Sequence, residues 1–167
     1  MLEFDSDYAI LKEQLEHVIQ HGDVHDATAL FDQYHSVDID EVLEDLEPTD
    51  LQFFLFMLNA EQVANLIENA DPDLQPKMTR FYSTKELIEI FSFMTNADVA
   101  DLLGFMSTKR RKEVLNYMKA SESDILKMIL SYEDDSAARI MTTEFISLRQ
   151  SLTVREALLK IKEIAPT

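Results

Sequence analysis

The chain has 167 residues, 46% of them apolar, and carries 15 basic against 32 acidic side chains for a net charge of −17. That length and composition suit a single domain with a core of its own. Two glycines and no cysteine exclude a P-loop, a dinucleotide fingerprint, a disulfide framework and a thiolate metal site. The charge is uneven: residues 1–76 hold 19 acids and a single base, Lys12, whereas residues 77–167 are nearly neutral. Such a surface repels nucleic acid and anionic lipid and attracts cations or a basic partner. No run reaches the roughly 20 apolar residues needed to cross a bilayer, and Met1-Leu2-Glu3-Phe4-Asp5 lacks a signal peptide's basic start. The chain therefore reads as soluble and cytosolic.

In chain order, apolar residues recur at helical spacing in short runs. Leu11, Leu15 and Val18 form a stripe that Gly22 stops, and Val24, Ala27, Phe31 and Tyr34 form the next. His17, His21 and His25 lie four apart, as zinc ligands do on one helix face, but Gly22 interrupts that face and a metal site is not expected. Ile39, Val42, Leu43 and Leu46 follow, with acids Asp38, Asp40, Glu41, Glu44, Asp45, Glu47 and Asp50 around them. Counting an EF-hand from Asp38 puts Leu43 where glycine is required and Thr49 where glutamate is required, so this run is a solvated face.

From there the spacing becomes regular. Stripes begin near Leu51, Val63, Leu74, Leu87, Val99, Val114 and Ile125, and capping residues Thr49, Asn59, Asp71, Ser83, Asn96 and Ser107 mark their starts every 10 to 13 residues. Thr49–Gln52 and Ser83–Glu86 read as capping boxes. Helices of two to three turns are marginal alone and must bury their stripes on neighbours, so the expected fold is all-α, about ten short helices in one superhelical array. Lys109-Arg110-Arg111-Lys112 lacks interleaved aromatics and reads as a solvated face or a contact for a neighbour's acidic surface, not a nucleic-acid site. Thr143–Leu148 alternates polar and apolar residues like a strand, and Thr153–Glu156 opens a further capped helix bearing Val154, Leu158 and Ile161. This βα extension is expected to continue into a larger unit, giving domains 1–136 and 137–167. Carboxylates abound, but nothing gathers an acid–base pair or a nucleophile elbow, so catalysis is not expected.

Two segments resemble the cytosolic N domain of MgtE-type magnesium transporters and its junction to the CBS domains. Asn96-Ala-Asp-Val-Ala-Asp-Leu-Leu103 is similar to that family's acidic helix start, and Tyr132-Glu-Asp-Asp-Ser-Ala-Ala-Arg-Ile-Met-Thr142 with Glu144-Phe145 to its junction. The resemblance implies a homodimeric Mg²⁺ channel at the cell membrane, with this segment on the cytoplasmic face. Mg²⁺ would bridge its acidic surface to CBS domains of the same polypeptide and the dimer mate, favouring a closed pore. By position, Asp98, Asp101, Glu133, Asp134 and Asp135 are the implied Mg²⁺ carboxylates. The family's first acid at the helix start is Ala97 here, an acid after Asn59 is Asn65, and its junction glycine pair is Ala138-Arg139. Residues 142–167 are expected to pair with a second copy. The helical repeat also resembles flagellar motor switch proteins, which makes a protein-binding adaptor the alternative.

Overall fold

The computed structural model describes residues 4–133, 136–137 and 146–164, which hold eleven α-helices and no strand. These are α1 (Phe4–His21), α2 (Val24–Gln33), α3 (Ser36–Leu43), α4 (Pro48–Phe56), α5 (Ala60–Asn69), α6 (Gln75–Thr79), α7 (Thr84–Phe91), α8 (Asn96–Phe105), α9 (Thr108–Tyr117), α10 (Ala120–Leu130) and α11 (Val154–Ile164). Apart from α1 no helix exceeds 11 residues, so none is stable without tertiary contacts. The most extensive contacts join helices two apart in the chain, α3 with α5, α5 with α7, α7 with α9 and α8 with α10, whereas α2 and α4 pack chiefly on α1 and α6 on α5. The odd-numbered helices form one layer in the order α3, α5, α7, α9, the even-numbered helices form a second in the order α4, α6, α8, α10, and α1 closes the first end against α2, α3 and α4. The expected superhelix of short helices is the fold observed.

Between the layers runs one continuous core. Leu11 and Leu15 of α1, Ile39 and Leu43 of α3, Phe54 and Leu55 of α4, and Leu66 and Ile67 of α5 are excluded from solvent, as are Met78, Leu87, Leu103 and Leu126 further on. Phe54 or any of these leucines, cut back to alanine, would open a cavity costing about 2–5 kcal/mol. On the expected stripes Val24, at the first turn of α2, and Met128 face outward instead, 56% and 41% exposed, as do Val154, Leu158 and Ile161 of α11. Leu30 takes the buried place in α2.

Several caps differ from the sequence expectation. The reciprocal boxes at Asn59–Gln62, Ser83–Glu86 and Thr153–Glu156 are formed. At Thr49 they are not, because Pro48 takes the first helical position and Glu47 becomes the N-cap; proline has no N–H to satisfy there and a φ already helical. Thr95 caps α8 in place of Asn96. Asp71 begins an Asx turn, accepting from the Asp73 N–H at 2.9 Å, and the helix starts only at Gln75. The strand expected over 143–148 is not found in its described part: residues 146–149 form no regular element, and residues 143–145 lie outside the described residues. A strand is stable only when another strand takes up its N–H and C=O groups, and none exists among the described residues.

Helix ends carry a constraint set by composition. Gly22, at φ +67° after α1, is the one left-handed residue among those described, and no other helix ends on the usual glycine motif. Their last carbonyls are met by polar side chains from further along the chain. Gln75 Nε2 donates to the Ile67 and Ala70 carbonyls at the end of α5, at 2.9 and 3.3 Å. The buried Tyr82 hydroxyl donates to Leu55 O of α4 at 3.2 Å.

Among the described residues Gln14, Ser123 and Ser136 each bury one unpaired side-chain oxygen, and Asp40 buries two. It is 3% exposed on α3, and neither carboxyl oxygen has a hydrogen-bond partner. Burial, with a smaller contribution from Glu44 one turn on, raises its carboxyl from 3.8 to about 8. A carboxyl whose folded value is raised must take up a proton on folding, so its cost grows as pH rises from about 4 to about 8 and is fully present above that. Asp40→Asn cannot ionise. Its stabilisation over the parent is expected to be about 1–3 kcal/mol larger at pH 8.5 than at pH 4.5, read from urea midpoints; an equal effect at both pH values would show that Asp40 is not held neutral.

Candidate functional site

The acidic surface expected from composition is present, and one cation serves its first half. Lys12 Nζ and Tyr8 Oη of α1 both donate to Asp45 Oδ2, at 2.8 Å each. Lys12 first, then Tyr8, holds the Asp45 carboxyl below its ordinary range. Lys12 is 35% and Asp45 54% exposed, so the pair ties α1 to the turn after α3 and adds little stability.

At the start of α8 two helices bring carboxylates together. Thr95 caps the helix: its hydroxyl accepts the Asp98 N–H at 3.3 Å and donates to Asp98 Oδ2 at 2.5 Å. The cap fixes Asp98, half-buried, at the positive end of the helix, where a negative charge is favoured. Glu68, from the last turn of α5, reaches the same place. Partial burial and then the charge of Asp98 raise its carboxyl, while the Thr95 backbone N–H bonded to it opposes the rise. The α5–α8 neighbourhood thus holds two acids against each other across one capping threonine, a positioning role that sequence spacing does not reveal.

Of the residues expected to hold Mg²⁺, Asp98 and Asp101 lie one turn apart on α8, with Asp101 exposed. Glu133 is exposed, three residues beyond α10, the helix packed on α8. Asp134 and Asp135 lie outside the described residues. Among the described residues no three His, Cys, Asp or Glu side chains converge closely enough to hold a metal ion. The histidines do not converge either: His17 and His21 stack at 4.0 Å, His21 Nδ1 is taken by the His17 carbonyl at 2.8 Å, and His25 stands beyond Gly22 on α2.

The basic cluster departs from its expectation as a solvated face. Arg111 Nε donates to Leu103 O at 2.7 Å, and its Nη2 to Gly104 O and Met106 O at 2.8 and 3.4 Å, closing the end of α8. Arg110 donates from Nη1 to Thr84 Oγ1 and from Nη2 to Tyr82 O, both at 2.7 Å, while the Thr84 hydroxyl donates to Glu113 at 2.5 Å. These bonds join the start of α7 to α9. Lys109 and Lys112 remain exposed.

Comparison with known proteins places these features. Residues 34–135 match the model of the MgtE intracellular N domain. The chain is 24% identical over 148 residues to the magnesium transporter MgtE of Bacillus subtilis, covering 89% of this chain and 33% of that protein. It is 24% identical over 158 residues to MgtE of Thermus thermophilus, covering 91% and 34%. It thus spans about a third of the length of these relatives. Among solved structures, the soluble part of a magnesium transporter superposes with a TM-score of 0.76 at 22% identity, over 93% of this chain and 62% of that one. The cytosolic domain of the Mg²⁺ channel MgtE in complex with ATP superposes with a TM-score of 0.78 at 20% identity, over 91% and 62%. No helix among the described residues is long and apolar enough to cross a membrane.

Removing the Arg111 guanidinium leaves carbonyls at the end of α8 without their donor. Arg111→Ala is expected to cost about 1–3 kcal/mol, against less than about 0.5 kcal/mol for the exposed Lys112→Ala. Urea denaturation of the two variants checks this, and equal effects would rule out the capping role.

Proposed function

The chain belongs to the MgtE intracellular N domain family, and we infer that it is the non-catalytic, ion-sensing part of a magnesium transporter. The observation that carries this reading is the apposed pair Glu68 and Asp98, with no basic side chain among the groups that act on Glu68. Where the family has an acid, this chain has Asn65; Glu68, one turn later on α5, supplies a carboxylate beside α8 instead.

Mg²⁺ prefers a few carboxylates and keeps several of its waters. It therefore suits a wet interface between two acidic surfaces better than a closed cage within one. Asp98, Asp101 and Glu68 would offer one side of such an interface, and Glu133, Asp134 and Asp135 the approach to the CBS domains that follow. At high Mg²⁺ the bridged surfaces hold together and favour a closed pore. At low Mg²⁺ the repulsion of a surface with 19 acids in its first 76 residues separates them.

Half of each such ion's ligands would come from CBS carboxylates, so Mg²⁺ is expected to stabilise this chain only weakly. Near-saturating millimolar MgCl₂ should raise the melting temperature by about 1–2 °C beyond NaCl at matched ionic strength. Glu68→Gln with Asp98→Asn should abolish the difference. Submicromolar binding in calorimetry would contradict the bridging mechanism and show a self-contained site.

Residues 142–167 supply the contact to a second copy. On α11, Val154 is 78%, Leu158 55% and Leu159 63% exposed, an apolar face of the kind that helices bury on a partner. The chain is expected to sediment as a dimer at high concentration, and a chain ending at Ser136 as a monomer. A monomeric full chain would rule the pairing out.

A further inference from the structure

One pocket runs against the electrostatics of the whole molecule. Between α6 and the α8–α9 turn lies a cleft of about 240 Å³, whose lining includes the apolar Leu102, Phe105 and Met106 and the polar Arg80, Ser107 and Arg110. Arg80, at the C-cap of α6, is exposed, and its guanidinium makes no hydrogen bond or ion pair with any described residue. Arg110 is held still by Thr84 and Tyr82 O, and Glu113 balances part of its charge at 3.5 Å. Arg80 is thus the unbalanced charge, and Arg110 a rigid edge.

The helix ends sharpen this polarity. Carbonyls at the end of α8, which would make the cleft negative, are occupied by Arg111. Ser107 caps the start of α9 and accepts the Arg110 N–H, leaving the positive end of that helix beside the two arginines. The ring of Phe105 is 60% exposed, an uncovered apolar surface next to a free guanidinium. We propose that this cleft binds a small organic anion, a carboxylate carried on an aromatic or branched apolar body. Its carboxylate would meet the Arg80 guanidinium, a geometry in which arginine donates two parallel bonds, and its body would lie on Phe105, Leu102 and Met106. In a chain of net charge −17 an anion is repelled in general, so binding depends on this local arrangement.

The test is a ¹⁵N NMR titration of the whole chain with hydrocinnamate, with its neutral amide and with inorganic phosphate. Hydrocinnamate is expected to shift the amides of Phe105, Ser107 and Arg110 and to saturate, with the neutral amide at least about tenfold weaker. Arg80→Glu should weaken hydrocinnamate by about tenfold or more, and Lys112→Glu, the same charge change on an exposed residue away from the cleft, by less than about threefold. Equal losses in the two variants would mean that the overall field, not the cleft, governs binding. Phosphate saturating as readily as hydrocinnamate would remove the role of the apolar wall. Either result, or shifts that never saturate, overturns the proposal.

Discussion

The short helices of this protein cannot exist without the helices packed against them, and the most extensive of those contacts join helices two places apart in the chain. A stretch of eight to eleven residues forms too few internal hydrogen bonds to offset its ordering entropy, and burial of its apolar stripe supplies the remainder. The i to i+2 packing converts that need into architecture: two layers, each built by adding a helix to the last one, with side chains such as Phe54, Leu66, Leu87 and Leu103 shared at the seam. Stability in such an array is close to a sum over neighbours. The end where α1 sits on α3 carries the greatest charge repulsion and has one basic residue to counter it.

A second constraint follows from the scarcity of glycine. A helix that cannot end in a left-handed residue leaves its last carbonyls open. Here Gln75, Tyr82 and Arg111 reach back to close α5, α4 and α8. The Gln75 and Arg111 bonds tie α6 to α5 and α9 to α8, and the Tyr82 bond reaches back past α5 and α6 to α4. Arg111 is consumed this way and Arg110 is held by the start of α7, whereas the Arg80 guanidinium beside the α8–α9 turn has no partner among the described residues.

The pairing of Glu68 with Asp98 shows why an acidic surface is more than a means of staying in solution. Acids spread over a surface repel weakly and are screened by salt. Two acids meet here at one capping threonine, and partial burial, then the charge of Asp98, raises the Glu68 carboxyl. That local conflict is the feature on which the proposed ion sensing rests.

The helical class, the spacing of the units and the outline of the core were legible in the sequence, because the 3.6-residue period and the capping boxes at Ser83 and Thr153 are local signals that tertiary packing reinforced. The acidic first half was equally legible, since charge counts need no geometry. Pro48 and Thr95 displaced two expected caps by a residue or two, a local competition that spacing alone does not decide. What lay beyond the sequence depends on contacts between residues far apart in the chain. Asp40 reads as one more solvated acid until α3 turns it inward, Arg110 and Arg111 read as surface charges until the ends of α7 and α8 arrive beside them, and Glu68 gains its meaning only when α8 brings Asp98 to it. Periodicity determines which face of each helix is buried; only the superhelical stacking decides which charges are left facing one another.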